Sequence, residues 1–295
     1  MTVPGRSRTA RLGEVMRRKL IVALFVIIFL TGLSVMLYPM VSDLINSQKQ
    51  SDSVKQYFQV VESLSQQDFT EMFEAARQYN ERLPRKPSRF SMTDDEQIEY
   101  RSLLNPAGLG AMGTLEIEIL DIHLTIFHGT DEGVLQIALG HLEGSSFPVG
   151  GPGTHAVITG HRGLPSSTLL TNLDRLVIGD TFKINVLNET LIYRVDQTLI
   201  VEPHEMTELA IVPDADLCTL VTCTPYGINT HRLLVRGVRV ESDGETFERP
   251  AQIPSGARVL TGARASLLLI IPAMVIVLAI LFIRLRRVYG RGNKQ

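Results

Sequence analysis

The sequence predicts a mostly-β domain with an N-terminal helical arm, flanked by two transmembrane helices. Three observations predict it. Two uncharged apolar runs, 20–38 and 265–283, lie near the chain ends. Each is long enough to cross a hydrocarbon core of about 30 Å as a helix. Residues 44–83 place Val54, Phe58, Val61, Leu64, Phe69, Met72, Phe73, Ala76 and Tyr79 at helical spacing. From Met112 onward apolar and polar residues alternate, which is the period of a half-buried strand.

The spans come first because they set the compartment. Arg6, Arg8, Arg11, Arg17, Arg18 and Lys19 precede the first span; Arg284, Arg286, Arg287, Arg291 and Lys294 follow the second. Cations stay on the cytoplasmic side, so both termini are expected there and everything between the spans outside. The layout is then a basic N-terminus (1–19), a span (20–38), an arm (39–110), a mostly-β domain (111–243), a polar tether (244–264), a span (265–283) and a basic tail (284–295). Buried core helices would not need cationic flanks at the chain ends. A cleaved signal peptide would have a shorter apolar run and a small-residue cleavage site, which is not evident after residue 38.

The arm leaves the membrane as one or two amphipathic helices. "RLPRKPSRFS" (82–91) has two prolines and four cations and reads as a loop. A short helix is expected over 94–104, ending at Asn105-Pro106. Strands are expected within "GTLEIEILDIHLTIFHG" and over 155–159, 181–187, 190–201, 217–222 and 232–240, with helical pieces only at 133–140 and 165–176. Between residues 20 and 260, 17 Lys and Arg stand against 30 Asp and Glu, a balance of −13. So acidic a domain is a poor partner for nucleic acid.

The chain has two cysteines, Cys218 and Cys223. Five positions apart in a strand they are separated by about 16 Å and face opposite sides. A disulfide needs Cα atoms within about 7 Å, so both are expected as free thiols. Cys218 reads as a small buried hydrophobe. Cys223 ends the run "TLVT" just before "TPYG", where a thiol is reachable; burial and nucleophilic use both fit that position. Arg232 opens the next strand, and an antiparallel pairing would bring it to Cys223, where a guanidinium can stabilise an oxyanion. A surface arginine is the plainer alternative. His231 should point to the other side of its strand. His155 and His161 both sit at strand ends, and spacing alone does not choose between them. His123, His128, His141 and His204 have no catalytic context. Two cysteines and scattered histidines do not match a zinc site.

The stretches "ITGHRGLPSSTLLTNLDRL", "TLVTCTPYGINTHRLLVRG", "FHGTDEGVL" and "GHLEGSSFPVGG" together resemble a class C, pilin-assembling sortase. The similarity runs from about residue 100 to 240, and the two-anchor plan also matches. The resemblance implies an eight-stranded sortase β-barrel, with Cys223 as nucleophile, His161 as acid/base and Arg232 as the substrate- and oxyanion-stabilising cation. It implies a membrane-anchored transpeptidase that cleaves an LPxTG-like signal at Thr–Gly through a thioacyl-enzyme. A lysine of the next pilin subunit then resolves that intermediate, with neither metal nor organic cofactor. A sortase that anchors surface proteins to a cell-wall precursor is the neighbouring alternative. A catalytically silent binding barrel would predict an unreactive Cys223. One segment departs from the class. Its lid carries an Asp-Pro-aromatic motif over the cysteine; here Ser88 and Arg89 replace the first two residues, and Phe90 alone remains as the lid candidate. Without the aspartate, the lid has no latch to Arg232.

Overall fold

A computed structural model describes residues 8–164 and 167–241. The second span and its tether lie outside them. Helix α1 (Arg8–Ser63) runs unbroken for 56 residues. Its apolar stretch exposes Leu20, Leu24, Phe25, Ile27 and Leu30. Among the described residues this is the one helix long and apolar enough to cross a membrane. Its last turns change character: Val54, Tyr57, Phe58 and Val61 are buried. The Tyr57 hydroxyl donates to the Met112 carbonyl at 3.0 Å and accepts from the Leu187 N–H at 2.7 Å.

Helix α2 (Gln66–Arg82) starts at a capping box, in which Ser65 and Asp68 satisfy each other's backbone N–H groups at 3.2 and 2.7 Å. Thr93 and Glu96 do the same for α3 (Asp94–Ser102). These boxes fix the two helix starts in the sequence itself. Phe73, Ala76 and Tyr79 of α2 and Tyr100 of α3 turn inward to the barrel.

Eight strands follow: β1 (Ala111–Ile117), β2 (Ile122–His128), β3 (Leu139–His141), β4 (Thr154–Thr159), β5 (Thr181–Val186), β6 (Glu189–Val201), β7 (Asp216–Thr224) and β8 (His231–Val240). They close a barrel in the order β1-β2-β3-β4-β7-β8-β6-β5. The β2–β3 and β4–β7 pairs are parallel and the others antiparallel. Leu115, Ile126, Ile158, Phe182, Ile184, Cys218, Leu220 and Val235 fill the interior.

Two expectations need correction. The apolar run 133–140 is not one helix: Glu132–Leu135 forms a single turn (α4), and Leu139 already belongs to β3. A short buried strand and a short helix share an apolar pattern, and here pairing with β2 and β4 decided it. In 165–176 the described residues hold only a 3-10 turn, Leu173–Arg175.

Candidate active site

Side chains alternate along β7. Cys218 and Leu220 point into the core, while Val221 belongs to an outer apolar cluster with Val157, Leu209 and Leu234. Cys223 has the parity of Val221, so its thiol lies on the outer face, half-buried; both cysteines are free. Burial pushes the Cys218 thiol well up, which keeps it protonated.

The β7–β8 register sets Cys223 directly opposite Arg232. Directly opposed residues hold their Cβ atoms about 4.5–5.5 Å apart. The Arg232 guanidinium donates to the carbonyls of His231 at 3.1 Å and Asn229 at 3.4 Å. Among the described residues no carboxylate pairs with it, so its positive charge remains available to a ligand.

Parallel pairing of β4 with β7 brings Thr159 beside Val221. Two residues on, His161 stands level with Cys223. The loop is held there from both sides. Gly160 N–H donates to Val221 O at 3.0 Å, Thr222 Oγ1 to Gly160 O at 2.7 Å, and Leu170 N–H to His161 O at 3.2 Å. The His161 Nε2 is buried without a hydrogen-bond partner and lies 3.9 Å from Glu132 Oε2.

The other histidines are engaged elsewhere. His155 donates Nδ1–H to Ala210 O at 2.8 Å and accepts from Thr219 Oγ1 at 2.7 Å. Burial holds its pKa down at about 4. His141 is wholly buried; Nε2–H donates to Ser146 O at 2.8 Å and Nδ1 accepts from Tyr100 at 2.9 Å. Its pKa falls to about 3, again through burial. His128 is buried between two carbonyls. His123, His204 and His231 lie off the site, the last exposed beside Thr230. Among the described residues no group of three or more His, Cys, Asp or Glu could hold a metal ion. A half-buried thiol, a carboxylate-free guanidinium and an imidazole on one rim can perform nucleophilic acyl transfer.

Phe90 departs from expectation. Arg89 stacks on its ring at 4.3 Å and donates to Gly144 O at 3.1 Å and Leu209 O at 2.5 Å. Gly144 is the seat: at φ +83, a Cβ there would come within 2.1 Å of Arg89 O. Gly144 lies between residues bonded to Val157 and His155, level with the first half of β4. Cys223 is four to six strand positions further on, about 13–20 Å away. Phe90 instead lines a cavity of about 490 Å³ with Met206, Ala210 and Ile211. The physical reason is Arg89 itself, which pins the segment to two carbonyls far from the thiol.

A Sortase domain model matches residues 115–240. The crystal structure of sortase C1 from Streptococcus agalactiae is 45% identical, covers 65% of this chain and 100% of its own, and superposes with a TM-score of 0.63. The chain belongs to the sortase family. A lid mutant of sortase A from Corynebacterium diphtheriae is 42% identical over 61% of this chain and 97% of its own, with a TM-score of 0.57. Clostridium perfringens sortase C, solved with the C-terminal cell wall sorting motif, is 35% identical over 65% and 99%, with a TM-score of 0.58. This sortase is therefore a transpeptidase, on the eight-stranded barrel its relatives share.

Residue types alone did not single out the partners that hold the rim: Thr222, Arg162 and Glu132. The signal for Arg162 was its place beside His161 in "GHRG".

Proposed function

We propose that this sortase is a class C enzyme that joins pilin subunits, with Cys223 as nucleophile, His161 as acid/base and Arg232 as oxyanion stabiliser. The observation that carries it is the placement of Cys223 opposite Arg232, level with His161, on an outer face continued by Val157, Val221 and Leu234. The Cys223 thiolate adds to the threonine carbonyl carbon of an LPxTG-like signal. Arg232 bears the charge that develops on the oxygen. The C–N bond to glycine breaks, and the protonated His161 delivers its proton to the departing amine. The thioacyl-enzyme is then attacked by a lysine ε-amine of another subunit. Neutral His161 takes that amine's proton, an isopeptide bond forms and the thiolate leaves.

The sortase C relatives, one of them solved with the C-terminal cell wall sorting motif, support this reading. So do the apolar α1 and the cations before it, which favour an N-terminus inside and a barrel outside. The test offers the full chain, in detergent, an LPxTG-tailed pilin subunit with either a lysine-bearing subunit or a lipid-linked wall peptide. Mass spectrometry should find a threonine–lysine isopeptide. A product on the wall-peptide amine alone would assign it to anchoring instead.

A further inference from the structure

Arg162, next to His161, is the least expected side chain near the rim. Only 9% of it is exposed, and its Nη2 donates to Asp174 Oδ2 at 2.6 Å. Its Nη1 reaches Thr224 Oγ1, the residue after Cys223, at 3.4 Å. Its Nε is buried without a partner. A guanidinium taken out of water is costly unless paired, so a surface purpose would have left it in solvent.

The loop and the strand end meet at a second point. Gly163 lies under Tyr226, where a Cβ would come within 3.1 Å of the ring; its φ of +76 already favours glycine. On its other side, Gly163 N–H donates to Thr171 Oγ1 at 3.2 Å, while Asp174 sits in the 3-10 turn at Leu173–Arg175. Two separate pieces of chain thus converge on one buried cation. One is the loop after β4; the other is the end of β7.

We propose that Arg162 is a positioning residue. It clips the loop carrying His161 to the strand end carrying Cys223, with Asp174 fixing the clip's other end. This rests on the roles proposed above for Cys223 and His161. Arg162 need not touch substrate; it sets the distance over which the proton moves between imidazole and reacting group. Arg162 holds the hydroxyl from one nitrogen and the carboxylate from another. A lysine at this position carries its three donors on a single nitrogen, so it must reach both partners from one point.

The full chain in detergent is assayed for cleavage of an LPxTG-like peptide. Rates are expressed per molecule that iodoacetamide labels at Cys223 but not at the buried Cys218, counted by mass spectrometry, so unfolded molecules drop out. Arg162→Ala should lower kcat by about 10–100-fold, the scale of a misplaced catalytic group, with KM within about twofold. Arg162→Lys should recover part of that loss, and Asp174→Asn should fall between. A kcat for Arg162→Ala near the parent's, or a change confined to KM, overturns the clip. If Arg162→Ala does not fold, Arg162→Lys and Asp174→Asn decide: parental kcat in both overturns it equally. Cleavage by Cys223→Ala would be a different failure, that of the nucleophile assignment.

Discussion

Cys218 and Cys223 occupy one strand yet meet different surroundings. The first is sealed among core side chains; the second is on the outer face opposite a cation. Cys223→Ala should abolish peptide cleavage and leave the thermal midpoint nearly unchanged. Cys218→Ala should keep most of the activity while losing some stability, on the order of 1 kcal/mol for a small cavity. Turnover assays and melting curves on both variants check this, and the reverse pattern would move the nucleophile to Cys218. This contrast was legible in the sequence, because strand parity alone separates positions 218 and 223. The choice of His161 was not legible from spacing. It needed the resemblance, and the fold adds a physical reason: His155, the rival, is committed to Ala210 and Thr219.

Between strands and helices, Tyr100 is one joint of the arm to the barrel, alongside Tyr57 and Asn80. Its hydroxyl meets His141 Nδ1 at 2.9 Å, His141 O at 3.0 Å and the Gly129 N–H at 3.0 Å. Phe147 stacks on Tyr100 and His141, with Tyr79 edge-on. Tyr100→Phe keeps the stacking and strands those partners, so it should destabilise by about 1–3 kcal/mol, read as a shift in the denaturation midpoint. The segment before α3 behaves differently. Since Arg89 holds Phe90 at Gly144 and Leu209, Phe90→Ala should leave the rate of Cys223 alkylation unchanged. A several-fold acceleration would mean that the aromatic does shield the thiol. Sequence could show that the lid motif was altered. It could not show where the segment would settle, because its anchors are backbone carbonyls 55 and 120 residues away. The same non-locality hid β3, whose three residues become a strand only when β2 and β4 flank them.

At the scale of the whole molecule, three buried histidines held below their ordinary pKa, His128, His141 and His155, make folding sensitive to acid. The pKa of His155 drops from 6.5 to about 4 and that of His141 to about 3, mainly by burial. The unfolded chain therefore binds protons that the native state refuses. Both contributions are fully present above pH 6.5. They weaken as pH falls from there towards 4 for His155 and 3 for His141. Each proton steepens the loss by up to about 1.4 kcal/mol per pH unit. Urea unfolding between pH 7 and pH 4 should show this slope, and His155→Gln should lessen it. An equal slope in that variant would assign the acid sensitivity to other groups. A mostly-β domain was legible at this scale from alternation and turn residues, whereas the barrel came from the resemblance and its closure through β1–β5 pairing only from the fold.

Helix α1 carries a mechanical consequence. It passes without a break from the apolar stretch to the turns that grip the barrel at Tyr57. The rise from residue 45 to residue 57 is only about 18 Å. A flexible linker would let the catalytic domain roam and rotate above the lipid. A stiff post does not: it fixes both the height of the rim and the direction it faces. Under the proposed function, each pilin subunit must then arrive at one altitude and one bearing. Under that same proposal, tension on a growing polymer would pass down the post to the bilayer rather than being lost in slack.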